Sequence, residues 1–311
     1  MNLPPPLPNP WHFFNLEASP FWQDALGEGD TAHPLSLFVG RNQELTQLLN
    51  GLVGAGASSS RRAICGGLGV GKTTLVKQFK AQALANGYLT ADAFVPIVAG
   101  DTTETLFGRV LSAVYDILLA TRPHCVDHAA MQAAQVLVRA ARERVRGGGL
   151  SAAGFGASVS QGVVTTAPRD MLIDGPRVLR DLLDLVAASD ARGVVVHLNN
   201  LENLSEHDAD AAGQVIRDLR DLLLMQRGLH TVLSGSEDAI QATVQRHAQV
   251  RSTFSVLRLD PLGEGEVLAL LAARYRHLVR DASEPVIPPV DDDAVRAIHA
   301  LFRGDLRGLL K

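Results

Sequence analysis

Ile64-Cys65-Gly66-Gly67-Leu68-Gly69-Val70-Gly71-Lys72-Thr73-Thr74 carries the densest chemistry in the chain. Gly66, Gly71, Lys72 and Thr73 fall at the fixed positions of G-x-x-x-x-G-K-[ST]. Each residue type there has a physical task. Glycines at 66, 67, 69 and 71 let the backbone curl tightly and turn its N–H groups, those of Val70 and Thr74 included, towards a phosphate anion. A helix opening at the end of the loop aims its positive pole at the same anion. Lys72 would reach the outer phosphates, and the Thr73 hydroxyl would hold Mg²⁺. The expected ligand is therefore ATP with Mg²⁺, contacted by Gly66, Gly67, Gly69, Val70, Gly71, Lys72, Thr73 and Thr74, with Thr73 also the metal ligand.

Such a loop works only between a strand and a helix. Ala63-Ile64-Cys65 is a short apolar run before it, and Thr74-Leu75-Val76-Lys77-Gln78-Phe79 opens an amphipathic helix that glycine stops near Asn86-Gly87. Upstream, Gly40 turns the chain into a helix from Asn42 to Leu52. Downstream, Phe94–Val98 reads as a strand, with Pro96 indicating a sheet edge or a bulge. Helices are expected over 103–119 and 128–146. Residues 150–167, rich in Gly, Ala and Ser, read as a flexible loop or hairpin insertion. Asp174-Gly175-Pro176 starts a helix with a stripe at Val178, Leu179, Leu182, Leu183 and Val186. Gly193–Leu198 is a continuous apolar run, as in a strand buried on both faces. Ser205 is the expected cap of a long helix closing at Gly228. His230–Ser234, a helix from Glu237 to His247 and the strand Phe254–Leu259 complete the alternation. The implied fold is α/β, a doubly wound parallel sheet of a P-loop NTPase. Beyond Pro261 the pattern is helical: Gly263–Val279, Asp291–Leu301, and a third helix from Asp305. The expected organisation is an aromatic and proline-rich arm over 1–35, a core over 36–260 and a helical lid over 261–311. The lid ends so soon after Asp305 that truncation is expected.

The chain has 311 residues, 46% hydrophobic and 20% charged, the composition of an ordinary globular protein. No apolar run is long enough to span a bilayer and the first residues do not form a signal peptide, so a cytoplasmic location without membrane contact is expected. Two cysteines are too few for a disulfide framework or a zinc site, and Cys65 reads as a small core residue or a redox-sensitive thiol. A net charge of −4 does not support nucleic-acid binding by the chain as a whole. Arg139, Arg142, Arg144 and Arg146 read as helix-end cations or as a local edge for DNA phosphates. The arm concentrates Trp11, Phe13, Phe14, Phe21 and Trp22, rings expected to dock on the protein itself or on a partner.

Phe38-Val39-Gly40-Arg41 with Glu44-Leu45, the glycine-rich loop, the strand ending at Asn199-Asn200, and Gly304-Asp305-Leu306-Arg307 together resemble the AAA+ P-loop ATPases. Within these, the resemblance is to the origin-recognition initiators and the related STAND signalling ATPases, over about residues 37–311. It implies that Arg307 reaches from the lid to the nucleotide phosphates, and that Ser234 occupies the sensor-1 position or is a plain strand-end serine.

Departures from that family pattern shape the functional expectation. Asn199-Asn200 stand where the family carries an acidic pair that supports Mg²⁺ and polarises water. An amide carries no charge and takes no proton. Glu202 is the candidate stand-in or a loop carboxylate, and Arg251, with Arg246 nearby, is the candidate arginine finger, although Thr253 stands where an arginine is expected. The resemblance thus implies an ATP-binding protein in which nucleotide controls self-assembly or a protein partner, with slow or impaired hydrolysis. The alternatives are a DNA-associated ATPase of initiator or loader type and a STAND-type switch in signalling or defence.

Overall fold

The structure, a computed structural model, describes residues 9–56, 58–147, 170–206 and 208–311. The insertion expected at 150–167 lies outside the described residues. The chain divides into two compact units. One comprises 46–65 and 79–257, and the other is assembled from three separate stretches, 1–45, 66–78 and 258–311.

In chain order the elements are α1 (Asn42–Ala55), β1 (Arg61–Gly66), α2 (Lys72–Ala85), β2 (Val95–Pro96), α3 (Thr103–Thr121), α4 (Ala129–Gly147), α5 (Gly175–Ala187), β3 (Val194–Asn199), α6 (Glu202–Ser205), α7 (Ala209–Leu219), β4 (Leu229–Gly235), α8 (Glu237–Ile240), α9 (Ala248–Arg251), β5 (Ser255–Leu259), α10 (Glu264–His277), α11 (Asp292–Leu301) and α12 (Leu306–Leu309). The five strands form one sheet in the order β2-β3-β4-β1-β5. Pairs β2–β3, β3–β4 and β4–β1 are parallel. The register sets Asn199 beside Ser234 and Cys65 beside Gly235, so the carboxyl ends of β1, β3 and β4 finish level. Every residue of β3 and β4 is buried, so apolar side chains occupy both faces of each strand, with His197, Asn199, His230, Thr231 and Ser234 as buried polar exceptions. Pro96 lies in a terminal strand of the sheet, where its missing N–H costs no ladder bond.

Residues pointing to one face, among them Ala63, Cys65, Val194, Val196, Leu198 and Leu233, join the core with α3, α4, α5 and α7. Helix α5 approaches α3 through Gly175, where a Cβ would lie 2.4 Å from the Phe107 ring. Cys65 is buried in this core.

Two expected helices are divided differently from the sequence pattern. Ser205 closes the short α6, and the cap of the following helix is Asp208, whose Oδ1 accepts from the N–H groups of Asp210 and Ala211 at 2.9 Å each. A carboxylate at a helix start satisfies two orphan donors and the dipole at once, so Asp208 outcompetes the serine. The helix expected from Glu237 to His247 begins at the Ser236 cap and passes from α8 into a π turn over Gln241–Gln245, with α9 as an additional short helix.

In the other unit α10, α11 and α12 bury Leu262, Val267, Leu270, Leu271, Val295 and Leu310. Phe21 from the N-terminal segment and Val39 pack on that cluster. The segment is fastened by Asn15, which adopts φ 58° and donates through Nδ2 to the Asp281 and Glu284 carbonyls, both at 2.9 Å. Its Oδ1 accepts from the Asp281 N–H at 3.0 Å. Arg274 on α10 donates to the Pro20 and Trp22 carbonyls at 2.8 and 2.9 Å, with its guanidinium 4.1 Å from the Trp22 ring centre. A buried guanidinium requires that many partners.

Candidate phosphate-binding site

The loop that follows β1 is held open by glycine geometry. A Cβ on Gly66 would lie 2.7 Å from the Leu259 carbonyl oxygen and 3.0 Å from a Val70 methyl. Val70 is buried beneath the loop, and Gly67 is exposed. Gly69 adopts φ 72°, and a Cβ there would lie 2.2 Å from Asp305 Oδ1 and 3.1 Å from the Arg307 nitrogen. The start of α12 therefore sits directly on the crest of the loop. Asp305 Oδ1 accepts from the Arg307 N–H at 3.0 Å, and Gln23 donates to the Arg307 carbonyl at 3.1 Å. Lys72 opens α2 and donates to the carbonyls of Gly66 and Gly67, each at 2.8 Å. Thr73 and Thr74, half-buried, occupy the first turn of α2, whose leading N–H groups lack helical acceptors. Gly71 accepts from the Leu75 N–H at 2.9 Å, closing that turn.

Arg41 braces this loop from behind. It is buried and donates to Glu44 at 3.0 Å, to the Val70 carbonyl at 3.2 Å and to the Asp260 carbonyl. Sequence reasoning placed Arg41 in a motif without giving it a task. The available signal was the Gly40-Arg41 pair, both residues at positive φ, which turns an arginine inward.

The sequence candidates at the strand ends form a separate polar cluster. Ser234 donates to Asn199 Oδ1 at 2.6 Å, and His197 Nε2 lies 2.7 Å from the same hydroxyl, all three residues being buried. Because the serine proton points to Asn199, His197 must donate from Nε2, which places the neutral imidazole in its Nε2–H form. Burial, aided by the Lys80 charge, pushes the His197 pKa down to about 3, so the ring stays uncharged. His197 and Lys80 were not singled out in the sequence; a lone histidine inside a six-residue apolar strand was the available signal. Asn200 takes φ 69° and turns the chain out of β3. Glu202 follows in α6, where its Oε2 accepts the Ser236 N–H at 3.1 Å and so ties α6 to the turn after β4. Ser234, Asn199 and Glu202 are thus brought together by β3 and β4, while Arg251 lies exposed at the end of α9. Arg246 pairs with Asp210 at 3.4 Å, and the buried Thr253 hydroxyl accepts from Arg220 at 3.2 Å. Of the arginines near the end of α4, Arg139 is exposed and Arg142 forms a two-oxygen ion pair with Asp116 at 2.7 and 2.6 Å.

No protein-family model matches the sequence, and no curated protein matches it significantly. Among solved structures the chain is similar to the ORC2 protein of Aeropyrum pernix, determined as ADPNP–ADP complexes, with a TM-score of 0.50 and 16% identity over 93% of this chain and 63% of that one. It is also similar to the ORC1 protein of Aeropyrum pernix in complex with DNA (TM-score 0.45, 18% identity, 88% and 58% covered) and to Cdc6p from Pyrobaculum aerophilum (0.44, 15%, 87% and 59%). The chain spans 58 to 63% of the length of these proteins. At such identities the likeness is one of fold alone, the parallel α/β sheet shared with the ORC2 protein.

Proposed function

We propose that this chain is the ATP-binding part of an initiator-type AAA+ ATPase, in which occupancy of the loop at 66–74, more than cleavage of the nucleotide, sets the state of the protein. The observation that carries the reading is the contact of Asp305 and Arg307 with Gly69. It brings the Arg307 backbone nitrogen and Cγ, together with the Asp305 carboxylate, beside a glycine loop of the kind that binds phosphate, and so supports Arg307 as a second cation within reach of the ligand. The shared fold with an ORC2 protein determined with ADPNP and ADP supports the same ligand class.

In this reading Lys72 gives up the loop carbonyls for the stronger phosphate acceptors, and Arg307 binds the same group from the lid side. The Thr73 hydroxyl would hold Mg²⁺, which when bound spreads and offsets phosphate charge. Slow hydrolysis belongs to this reading, because Asn199 and Asn200 carry no carboxylate, Asn199 Oδ1 already accepts from Ser234, and one oxygen of Glu202 accepts the Ser236 N–H. Equilibrium titration with a fluorescent ATP analogue tests the proposal: Lys72→Ala and Arg307→Ala each weaken binding, the first to near loss. Undiminished affinity in Lys72→Ala would remove the site. For turnover, Asn200→Glu should exceed the wild-type rate.

The DNA-associated form of this reading is favoured over a general assembly switch, because the fold at a TM-score of 0.50 is that of an ORC2 protein. Duplex binding that weakens with rising salt supports it, and no binding at low salt rejects it. Arg142, already paired with Asp116, should contribute less than the exposed Arg139.

A further inference from the structure

A cavity of about 450 Å³ lies beside β3, lined by α3, α4 and the 91–96 segment and by no residue of the phosphate-binding loop. Its origin is a detour in the chain. Leu89 bridges to Val194 and Val95 pairs with Leu198, but the residues between them leave the edge of β3. Buried Lys80 holds that detour outward by donating to the carbonyls of Asp92 and Ala93 at 2.9 and 2.8 Å. The space so created is walled by Val95, Ala113, Ile117, Met171 and Val196. Phe94, 38% exposed, stands at the wall with its ring edge-on to His197 at 5.9 Å.

Among the described residues of the lining, both arginines are already paired, Arg109 with Asp101 at 2.6 Å and Arg142 with Asp116, which favours an uncharged occupant over an anion. Polar recognition is nevertheless possible. Arg109 uses Nη1 for its bonds to Pro96 and Asp101, so the rest of its fork can donate to a ligand acceptor. The geometry points to a second ligand site, taking an uncharged, mainly apolar small molecule with a planar ring and one acceptor oxygen. Volume, apolar walls and a few converging polar groups are what such ligands need. His197 lines the cavity and touches Ser234, so an occupant there would bear on the Asn199–Ser234 cluster.

The test uses the 311-residue chain labelled with ¹³C at the methionine methyl groups and two probes, neutral benzamide and anionic benzoate. Benzamide should shift the Met171 methyl signal saturably, and benzoate should bind at least about tenfold more weakly. Ala113→Phe and Ser112→Trp, two independent ways of filling the cavity, should each abolish the benzamide shift while ATP-analogue affinity is retained. No saturable shift at Met171, equal binding of benzoate, or an unchanged shift in the folded cavity-filling variants would overturn the site. Nuclear Overhauser contacts from the Met171 methyl to residues 148–169 would show the chain filling the cavity itself, and would overturn it as well.

Discussion

At Gly69 one hydrogen atom decides whether the loop and the start of α12 can touch. A methyl group there meets Asp305 Oδ1 at 2.2 Å on a backbone at φ 72°, whereas a methyl on Gly67 meets only a Val70 methyl at 3.6 Å. Gly69→Ala should therefore lower stability by about 1–3 kcal/mol and weaken ATP-analogue binding, with Gly67→Ala close to wild type in denaturation midpoint. Histidine chemistry provides a second contrast. Burial pushes His197 down to about 3 and His230 down to about 4, with the Lys80 and Arg61 charges adding to the effect. The unfolded chain takes up protons near pH 6.5 and the folded state only far below, so protons favour unfolding between those values. Stability should be full above pH 6.5 and fall on acidification, by about 2 kcal/mol per histidine at pH 5. Urea denaturation at pH 7 and pH 5 reads this directly, and His197→Gln should about halve the difference, since His230 keeps its share. These residues also mark where sequence reading stops. The cradle glycines and Lys72 are legible because their spacing is local. The tasks of Arg41 and His197 depend on Asp260 and Ser234, residues far along the chain that no local pattern connects.

The N-terminal segment is held to α10 and the stretch after it by side-chain anchors and by the antiparallel bridge between Leu16 and Val279. Asn15 makes three bonds to the turn at 281–284, and Arg274 makes two bonds and a ring contact around Trp22. Trp11 and Trp22 are the chain's two tryptophans, so intrinsic emission reports this segment alone. Arg274→Ala should shift that emission to longer wavelength and destabilise the protein by about 2–4 kcal/mol, since it removes packing as well as bonds. An unshifted spectrum would mean that the segment is anchored elsewhere. Other elements show what governs legibility at this scale. α5 and β3 follow their apolar periods closely because burial dictates both. The α6–α7 boundary was misplaced because Ser205 and Asp208 are both competent caps three residues apart, and only the geometry chooses. β2 keeps two paired residues of the five expected, since the Lys80-held detour takes the chain off the sheet before Val95.

For the molecule as a whole, the informative fact is that one compact unit contains the N-terminal segment, the glycine loop and the C-terminal helices. Gln23 bonds the carbonyl of Arg307, so a ligand that engages Arg307 acts on the tryptophan-bearing segment within the same unit. ATP analogue should therefore change tryptophan emission and raise the melting temperature in wild type, and do neither in Lys72→Ala. The alternation of strands and helices was readable because each element buries its own face. The composition of this unit was not, because it joins stretches separated by the whole of the sheet domain. That arrangement also has a consequence for biosynthesis. Gly69 leaves the ribosome more than two hundred residues before Asp305 and Arg307, an interval of roughly ten seconds to a minute at ordinary translation speeds. Throughout that time a nascent chain has its glycine loop but not the residues that meet Gly69; if the proposed function holds, full nucleotide affinity would arise only after synthesis has passed Arg307.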